Sequence, residues 1–277
     1  MSSHQSHLNM SIDHFSVRIF SSDSIKARYI FVDSLKYGIV WRNVFLFVLL
    51  HVVYGFGLVH LIRERLWSSW IFGYWYSVFG GIGITCGAHR LWSHRSYKAS
   101  FPLRAFLMIC QSIAGQNDLY TWCRDHRLHH KFSETDADPH NSNRGFFFCH
   151  VGWLLTRKHP DIMIRGKTLC FDDLSKDPVI KFQRKFYPFF YIFFCFLFPT
   201  LLCRFIVGDT LLNCLIVGSF GRYIVSLHCT WFVNSAAHMW GDRPYSVKME
   251  PRYVFISCFY DKYKLTDNLS GKTSGSP

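Results

Sequence analysis

The stretch Asp125-His126-Arg127-Leu128-His129-His130, followed directly by residues 131–141, decides how the rest of the sequence is interpreted. In a helix, His126, His129 and His130 stand at positions i, i+3 and i+4, so their imidazoles share one face. Such a face offers nitrogen ligands for one or two metal ions, and imidazole suits iron, zinc, copper and nickel alike. The spacing therefore predicts a metal site without identifying the metal. The alternative for this segment alone is a solvated, basic helix face.

Two shorter segments add candidate ligands, His89-Arg-Leu-Trp-Ser-His94 and Asn234-Ser-Ala-Ala-His238. His89 and His94 are five residues apart, which a regular helix places well off one face, so we expect them to converge only at a helix end or a bend. Asn234 and His238 share a face at i, i+4. A single histidine beside an apolar helix is more often a core residue than a ligand. Three such segments in one apolar chain favour a metal site.

Four stretches resemble the motifs of membrane acyl-CoA desaturases of the animal stearoyl-CoA desaturase type. They are HRLWSH (89–94), HRLHHKFSETDADPHN (126–141), RGFFFCHVGWLL (144–155) and NSAAH (234–238). The resemblance runs from about Trp41 to about Ser257. It implies an all-α membrane protein with four transmembrane helices and a cytosolic helical cap that holds a histidine-rich di-iron site.

The composition agrees with a membrane protein that carries a polar cap. Hydrophobic residues make up 49% of the 277 residues and aromatic residues 18%. The formal charge of +13 suits nucleic acid, an anionic membrane face or an acidic ligand such as CoA. No nucleic-acid motif accompanies the charge, so we favour the lipid bilayer and CoA. The ten cysteines are scattered without C-x-x-C, which predicts neither a disulfide framework nor a zinc ribbon. We read no signal peptide in the polar N-terminal segment.

Apolar runs long enough to cross a bilayer predict the four spans at about residues 44–62, 70–88, 187–207 and 211–237. The basic region 89–185 is predicted to form the cap, with the apolar stretch Phe101–Ala114 lying on the membrane or packing under the cap. Residues 1–40 are expected to be a cytosolic N-terminal segment, residues 41–257 the desaturase domain and residues 258–277 a divergent tail. Lysine and arginine concentrate in the first segment and the cap, so the positive-inside rule places both termini in the cytosol. The resemblance implies the endoplasmic reticulum membrane.

The resemblance also implies the site residues. The implied iron ligands are His89, His94, His126, His129, His130 and His238, with Asn234 acting through a water. The implied acyl-CoA contacts are Asn43, Asn117, Arg124, Asp125, Arg157, Lys158 and Trp231. Asp136 and Asp138 are expected either to orient an imidazole N–H or to form salt bridges. His140, His150 and His159 are not ligands in the family pattern, His51 and His60 are expected to be structural, and His4, His7 and His14 solvated. No catalytic side chain is expected beyond the metal site.

Removing two hydrogens from unactivated methylenes requires an oxidant stronger than any side chain, so a metal must activate O₂. A ferritin-like site with Glu-x-x-His motifs is excluded, because the glutamates are Glu64, Glu134 and Glu250 and none stands three residues before a histidine. An all-histidine iron site remains. No fused cytochrome b5 motif is present, so a separate cytochrome b5 with its NAD(P)H-dependent reductase is the expected electron donor.

The sequence departs from the family pattern in one respect. Family members carry a third box, H-x-x-H-H, about thirty residues beyond the NSAAH histidine, whereas no histidine follows His238 here. Residues 249–257 still resemble the family, and residues 258–277 do not, as if the domain were truncated before this box. Three interpretations stay open. The chain is an acyl-CoA desaturase by descent whose present form is inactive, a non-catalytic acyl-CoA-binding pseudoenzyme, or a membrane di-iron hydroxylase.

Overall fold

The computed structural model describes residues 35–240 as helices joined by short turns, and within that range the only β-type pairing is an isolated antiparallel bridge between Ile39 and Thr156. The predictions for residues 1–34, including His4, His7 and His14, and for residues 241–277 lie outside the described residues. In chain order the helices are α1 Trp41–Arg63, α2 Trp67–Ile82 with a π-helical continuation Gly83–Ser93, α3 Phe101–Ala114, α4 Leu119–Phe132, α5 Trp153–Leu155, α6 Pro160–Gly166, α7 Asp172–Lys176, α8 Pro178–Lys185, α9 Tyr187–Val207 and α10 Leu211–Met239. A 3₁₀ turn Ser142–Arg144 and a π turn Phe148–Gly152 precede α5.

Three helices of the described region, α1, α9 and α10, are long and apolar enough to cross a membrane. They agree with three of the four predicted spans. The remaining prediction, residues 70–88, falls in a helical stretch that changes from α to π at Gly83, and length and composition do not mark α2 as a span. The structure thus supports a multi-pass helical protein, and the fourth crossing stays a prediction.

The chain divides into two compact units. The larger unit contains Val40–Pro139 and Lys158–Thr230. The described part of the smaller unit contains residues 35–39, 140–157 and 231–240. The predicted ligands from His89 to His130 therefore belong to the larger unit, and Asn234 and His238 to the smaller one.

The core of the larger unit packs α4 and α8 against the π-helical end of α2. Leu119, Leu174 and Ile180 are at most 1% exposed, and each such side chain contributes roughly 1.5–3 kcal/mol by leaving water. Asp118 is the N-cap of helix α4, because its carboxylate accepts a hydrogen bond from the Thr121 backbone N–H at 3.0 Å. The histidine-bearing helix is thus fixed at its start and along one buried face.

Glycine lets α2 and α3 approach closely. A Cβ placed on Gly83 would lie 2.1 Å from the backbone nitrogen of Gln111, a distance that no side chain tolerates. The small-residue spacing Gly83/Gly87 in the sequence is typical of such close contacts. The predicted apolar stretch Phe101–Ala114 is a helix with these bounds, and it packs against α2.

Arg222 lies within the α10 span and faces the protein interior. Its guanidinium donates hydrogen bonds to the backbone carbonyls of Ile113, at 2.8 Å, and of Cys195. It also stands 5.1 Å from the centre of the Tyr76 ring. The side chain is 5% exposed, and its contacts join α10 to α2, α3 and α9 inside the larger unit.

The smaller unit is organised around His150. The His150 Nδ1–H donates to Ser235 Oγ at 2.9 Å, because the Ser235 hydroxyl donates its own hydrogen to the Trp231 carbonyl at 2.8 Å. The His150 ring also contacts Trp231 and Phe232 edge-on. His150 therefore supports the segment of α10 that carries Asn234 and His238.

Candidate metal centre

Four of the predicted ligands come together in the larger unit. The ligand atoms of His89, His94, His126 and His130 all lie within 4.8 Å of one another. His126 is central: its Nε2 lies 3.2 Å from His94 Nε2 and 3.0 Å from His130 Nε2. The His89 ring is 4.7 Å from the His126 ring, centre to centre. Two helical segments thus present four imidazoles to one point.

The pair His89/His94 converges because the chain there is π-helical. The His94 backbone N–H donates to the His89 carbonyl at 2.9 Å, which is the i→i+5 bond of a π-helix. This wider turn brings residues five apart together, and the two rings stand 4.4 Å apart. The sequence predicted that these two histidines converge only at a helix end or a bend. His94 does lie at a helix end, directly after the last π-helical residue, Ser93.

The donor set fits a first-row transition metal. Two imidazole nitrogens, each about 2.1 Å from one ion, lie about 3.0–3.4 Å apart at octahedral or tetrahedral angles. Two nitrogen pairs of the cluster, at 3.2 and 3.0 Å, have this spacing. His89, His94, His126 and His130 are therefore the residues that would hold the ion.

Electrostatics also favours a bound cation. Burial, and then the neighbouring imidazoles of His130, His89, His129 and His94, lower the pKa of His126 well below its usual range. The His126 imidazole is consequently neutral at physiological pH. A neutral imidazole keeps a lone pair on one ring nitrogen, as a metal ligand must.

His129 stands apart from this set and pairs with Asp138. The His129 Nδ1–H donates to the Asp138 carboxylate, whose oxygens lie at 2.9 and 3.0 Å. The backbone N–H of Glu134 donates to the same carboxylate at 3.0 Å. A carboxylate on Nδ1 leaves Nε2 as the ligand nitrogen and fixes the ring orientation. Of the two predicted carboxylates, Asp138 occupies this position, whereas Asp136 is exposed and 3.9 Å from His159.

A second group of predicted residues assembles around Asp125. One carboxylate oxygen accepts two hydrogen bonds from Arg124, at 2.9 and 2.8 Å, and the other accepts a bond from Lys158 Nζ. Both cationic side chains keep about a third of their surface exposed. The group therefore presents oriented positive charge to solvent, which suits phosphate.

The other predicted contacts are distributed more widely. Asn43 lies near the start of α1, and Asn117 lies exposed between α3 and α4 with a left-handed backbone, φ 69°. In the smaller unit, Arg157 pairs its backbone N–H with the Gly38 carbonyl at 2.9 Å, and Trp231 is buried. His238 is buried in the same unit, and Asn234 is half-buried.

The sequence interpretation missed the environment of the metal cluster. An open cavity of about 290 Å³ borders His94, His126 and His130, and Arg127 and Lys131 add positive charge to its wall. It also missed the contact between His51 and His228, whose Nε2 atoms lie 3.1 Å apart within the spans. No sequence signal indicates either, because both depend on the packing of distant segments.

Fold and site together define a helical, multi-pass membrane protein with a histidine cluster suited to a metal ion. No protein-family model matches the chain. The chain is 52% identical to the stearoyl-CoA desaturase 5 of Bos taurus over 217 residues. This alignment covers 78% of this chain and 64% of the bovine protein. The chain is likewise 52% identical to the stearoyl-CoA desaturase of Homo sapiens, covering 79% of this chain and 61% of the human protein.

A nematode relative is matched over a larger share. The Delta(9)-fatty-acid desaturase fat-7 of Caenorhabditis elegans is 46% identical over 241 residues, 82% of this chain and 71% of that protein. The chain therefore belongs to the acyl-CoA desaturase family, as its motifs indicated. It spans less than two thirds of the length of the cattle and human relatives.

Proposed function

We propose that this chain derives from an enzyme that introduces a cis double bond, of the delta-9 type, into a saturated fatty acyl-CoA. The observation that carries the proposal is the convergence of His89, His94, His126 and His130 in a chain about half identical to stearoyl-CoA desaturases. The reaction would use O₂ and belong to unsaturated fatty acid biosynthesis.

The metal proposed for the site is iron, two ions in a complete site. Bound iron would supply the oxidising equivalents from O₂ that removal of two hydrogens from a methylene pair requires. The residues of this chain hold and orient the ligand nitrogens. His126 is kept neutral by burial, and the Asp138 carboxylate holds the proton of His129 at Nδ1. His238, and Asn234 through a water, are further proposed iron ligands.

The proposed acyl-CoA contacts divide into charged and neutral groups. Arg124 and Lys158, both held by Asp125, would bind CoA phosphates, and Arg157 would add a further cation. Asn43 and Asn117 would donate and accept hydrogen bonds, and Trp231 would pack against the ligand. Electrons would come from a cytochrome b5 and its NAD(P)H-dependent reductase at the endoplasmic reticulum membrane. In that setting both termini and residues 89–185 face the cytosol, with four spans and residues 41–257 as the desaturase domain.

Binding of stearoyl-CoA to the detergent-solubilised chain tests the substrate class without requiring turnover. We expect saturable binding that Lys158→Ala weakens, because an oriented phosphate contact is lost. Lys176→Ala is the matched control, since Lys176 pairs with Asp172 on the exposed surface of α7. Binding that neither variant changes would contradict the assignment of the Asp125 group.

A second candidate follows from the absence of any histidine after His238 in these 277 residues. A non-catalytic acyl-CoA-binding pseudoenzyme would keep the Asp125 group and dispense with a complete iron site. Iron analysis separates the two: about two ions per chain support an enzyme, and none supports the pseudoenzyme. Product analysis separates a desaturase from a membrane di-iron hydroxylase, since one forms an alkene and the other an alcohol.

A further inference from the structure

Three buried polar side chains form a hydrogen-bonded network beneath the start of α4. Gln111, Ser112 and Gln183 are each 0% exposed. Gln183 Nε2 donates to Gln111 Oε1 at 2.5 Å and to Ser112 Oγ at 3.1 Å. The network joins α3 to α8, two helices separated by more than sixty residues of sequence.

The network ends on two backbone groups of the turn that leads into α4. The Leu119 N–H donates to Gln183 Oε1 at 2.8 Å, and Gln111 Nε2 donates to the Asn117 carbonyl at 2.8 Å. These partners fix the orientation of both amides, because an N–H requires an oxygen and a carbonyl requires an N–H. Each amide hydrogen of Gln183 has an acceptor, so its donors are fully used.

The turn needs such restraint, because its backbone is unusual. Gly115 and Asn117 both have left-handed backbones, with φ of 64° and 69°. A Cβ on Gly115 would meet Tyr223 at 2.9 Å, and the Tyr223 hydroxyl donates to the Gly115 carbonyl at 3.0 Å. The buried amides bind the same turn at Asn117 and Leu119.

The position of this turn controls the histidines of α4. Leu119 is the first residue of the helix, and His126 follows it by two turns, about 10 Å along a rigid axis. A rotation or shift at Leu119 is therefore transmitted to His126 and His130. Their nitrogens lie within 3.2 Å of their neighbours in the cluster, so a displacement of an ångström opens the site.

We propose that Gln111 and Gln183 are positioning residues of the metal centre, which set the placement of α4 so that His126 and His130 meet His94. The proposal rests on the proposed function, because it requires that the cluster binds a metal ion. Two apolar side chains of similar size could fill the same volume. What they could not provide is the pair of bonds to Leu119 and Asn117.

The test is the double variant Gln111→Met/Gln183→Met of the full chain in detergent, titrated with Co²⁺. Removing both amides together avoids leaving one of them buried without its partner. We expect the melting temperature to fall, because the Leu119 N–H and the Asn117 carbonyl lose their hydrogen-bond partners. The Co²⁺ affinity should fall about tenfold, at the low end of the effect of losing groups that orient metal ligands. The d–d absorption bands should change, since they report ligand geometry.

Thr200→Val is the matched control. It removes a buried hydrogen bond between Thr200 and Ser219, at 2.9 Å, on α9 and α10, neither of which carries a histidine of the four-member cluster. It should lower the melting temperature and leave the Co²⁺ spectrum unchanged. If the double variant does not fold, Gln111→Met alone removes the partner of the Asn117 carbonyl and one acceptor of Gln183 but keeps the bond from Leu119 to Gln183. It should reduce the Co²⁺ affinity to a smaller degree.

The outcomes are distinct. A parent chain that binds Co²⁺ and a folded double or single variant with the same affinity and spectrum would overturn the positioning role alone. A parent chain that binds no Co²⁺ would overturn the proposed metal site and the positioning role with it.

Discussion

His126→Ala removes the central ligand of the histidine cluster and should abolish tight metal binding. His126 Nε2 is within 3.2 Å of two other ligand nitrogens, so its loss removes the ligand that lies between His94 and His130. Four-ligand structural zinc sites bind with roughly 10–16 kcal/mol, which amounts to about 2.5–4 kcal/mol per ligand. That loss corresponds to roughly 100- to 1,000-fold weaker binding.

The assay is a titration of the detergent-solubilised chain with Zn²⁺ or Co²⁺ against a chromophoric chelator. His51→Ala is the matched control, because His51 lies in the α1 span and pairs with His228, away from the cluster. We expect the control to bind with the affinity of the parent. Binding by His126→Ala within about threefold of the parent, far less than the loss expected for a ligand, would refute the assignment of these histidines as one metal site.

Three further predictions concern the packing of Gly83, the hydrogen bonds of Arg222 and the role of His129. Gly83→Ala should destabilise the chain by at least about 3 kcal/mol in thermal or SDS unfolding, because its Cβ would lie 2.1 Å from the Gln111 backbone, whereas Gly81→Ala, with open space around it, should not. Arg222→Met should lower stability by roughly 1–3 kcal/mol for each of the two carbonyls left without a donor, and an unchanged melting temperature would contradict its role. In a form that also carries the third histidine box, His129→Ala should abolish desaturation while the protein still inserts into the membrane, and activity within a few-fold of the parent would show that His129 is only structural.

Sequence reasoning found the cluster because helical spacing is a local property. The i, i+4 relation of His126 and His130 places them on one face, and their nitrogens do meet. The shared-face prediction included His129, whose ring is drawn aside by Asp138 in the loop that follows α4. Such a pairing depends on how the loop folds back, which spacing along the chain does not contain.

From the sequence, the convergence of His89 and His94 could be predicted only if the helix ended or bent between them. A π-helical turn requires i→i+5 hydrogen bonds, and no residue preference in the segment distinguishes it from an α-helix. Runs of apolar residues located α1, α9 and α10, although α9 and α10 also contain π-helical segments, Phe193–Leu197 and Cys214–Gly221.

The buried glutamines show a further reason why sequence alone is insufficient. Gln111 lies in an apolar stretch and Gln183 in a basic one, and neither position suggests burial. Only the packing of α3 against α8 brings their amides within 2.5 Å. Contacts between residues distant in sequence have no periodic signal.

Lipid analysis in a desaturase-deficient yeast tests the central claim most directly. The 277-residue chain should form no monounsaturated fatty acids, because three expected histidine ligands are absent from it. The same chain, with the residues after 257 replaced by a relative's segment that carries H-x-x-H-H, should restore growth and produce monoenes. Monoenes from the unmodified chain would contradict the need for the third box. A replacement chain that accumulates and binds iron but forms no double bond would contradict the proposed desaturase function.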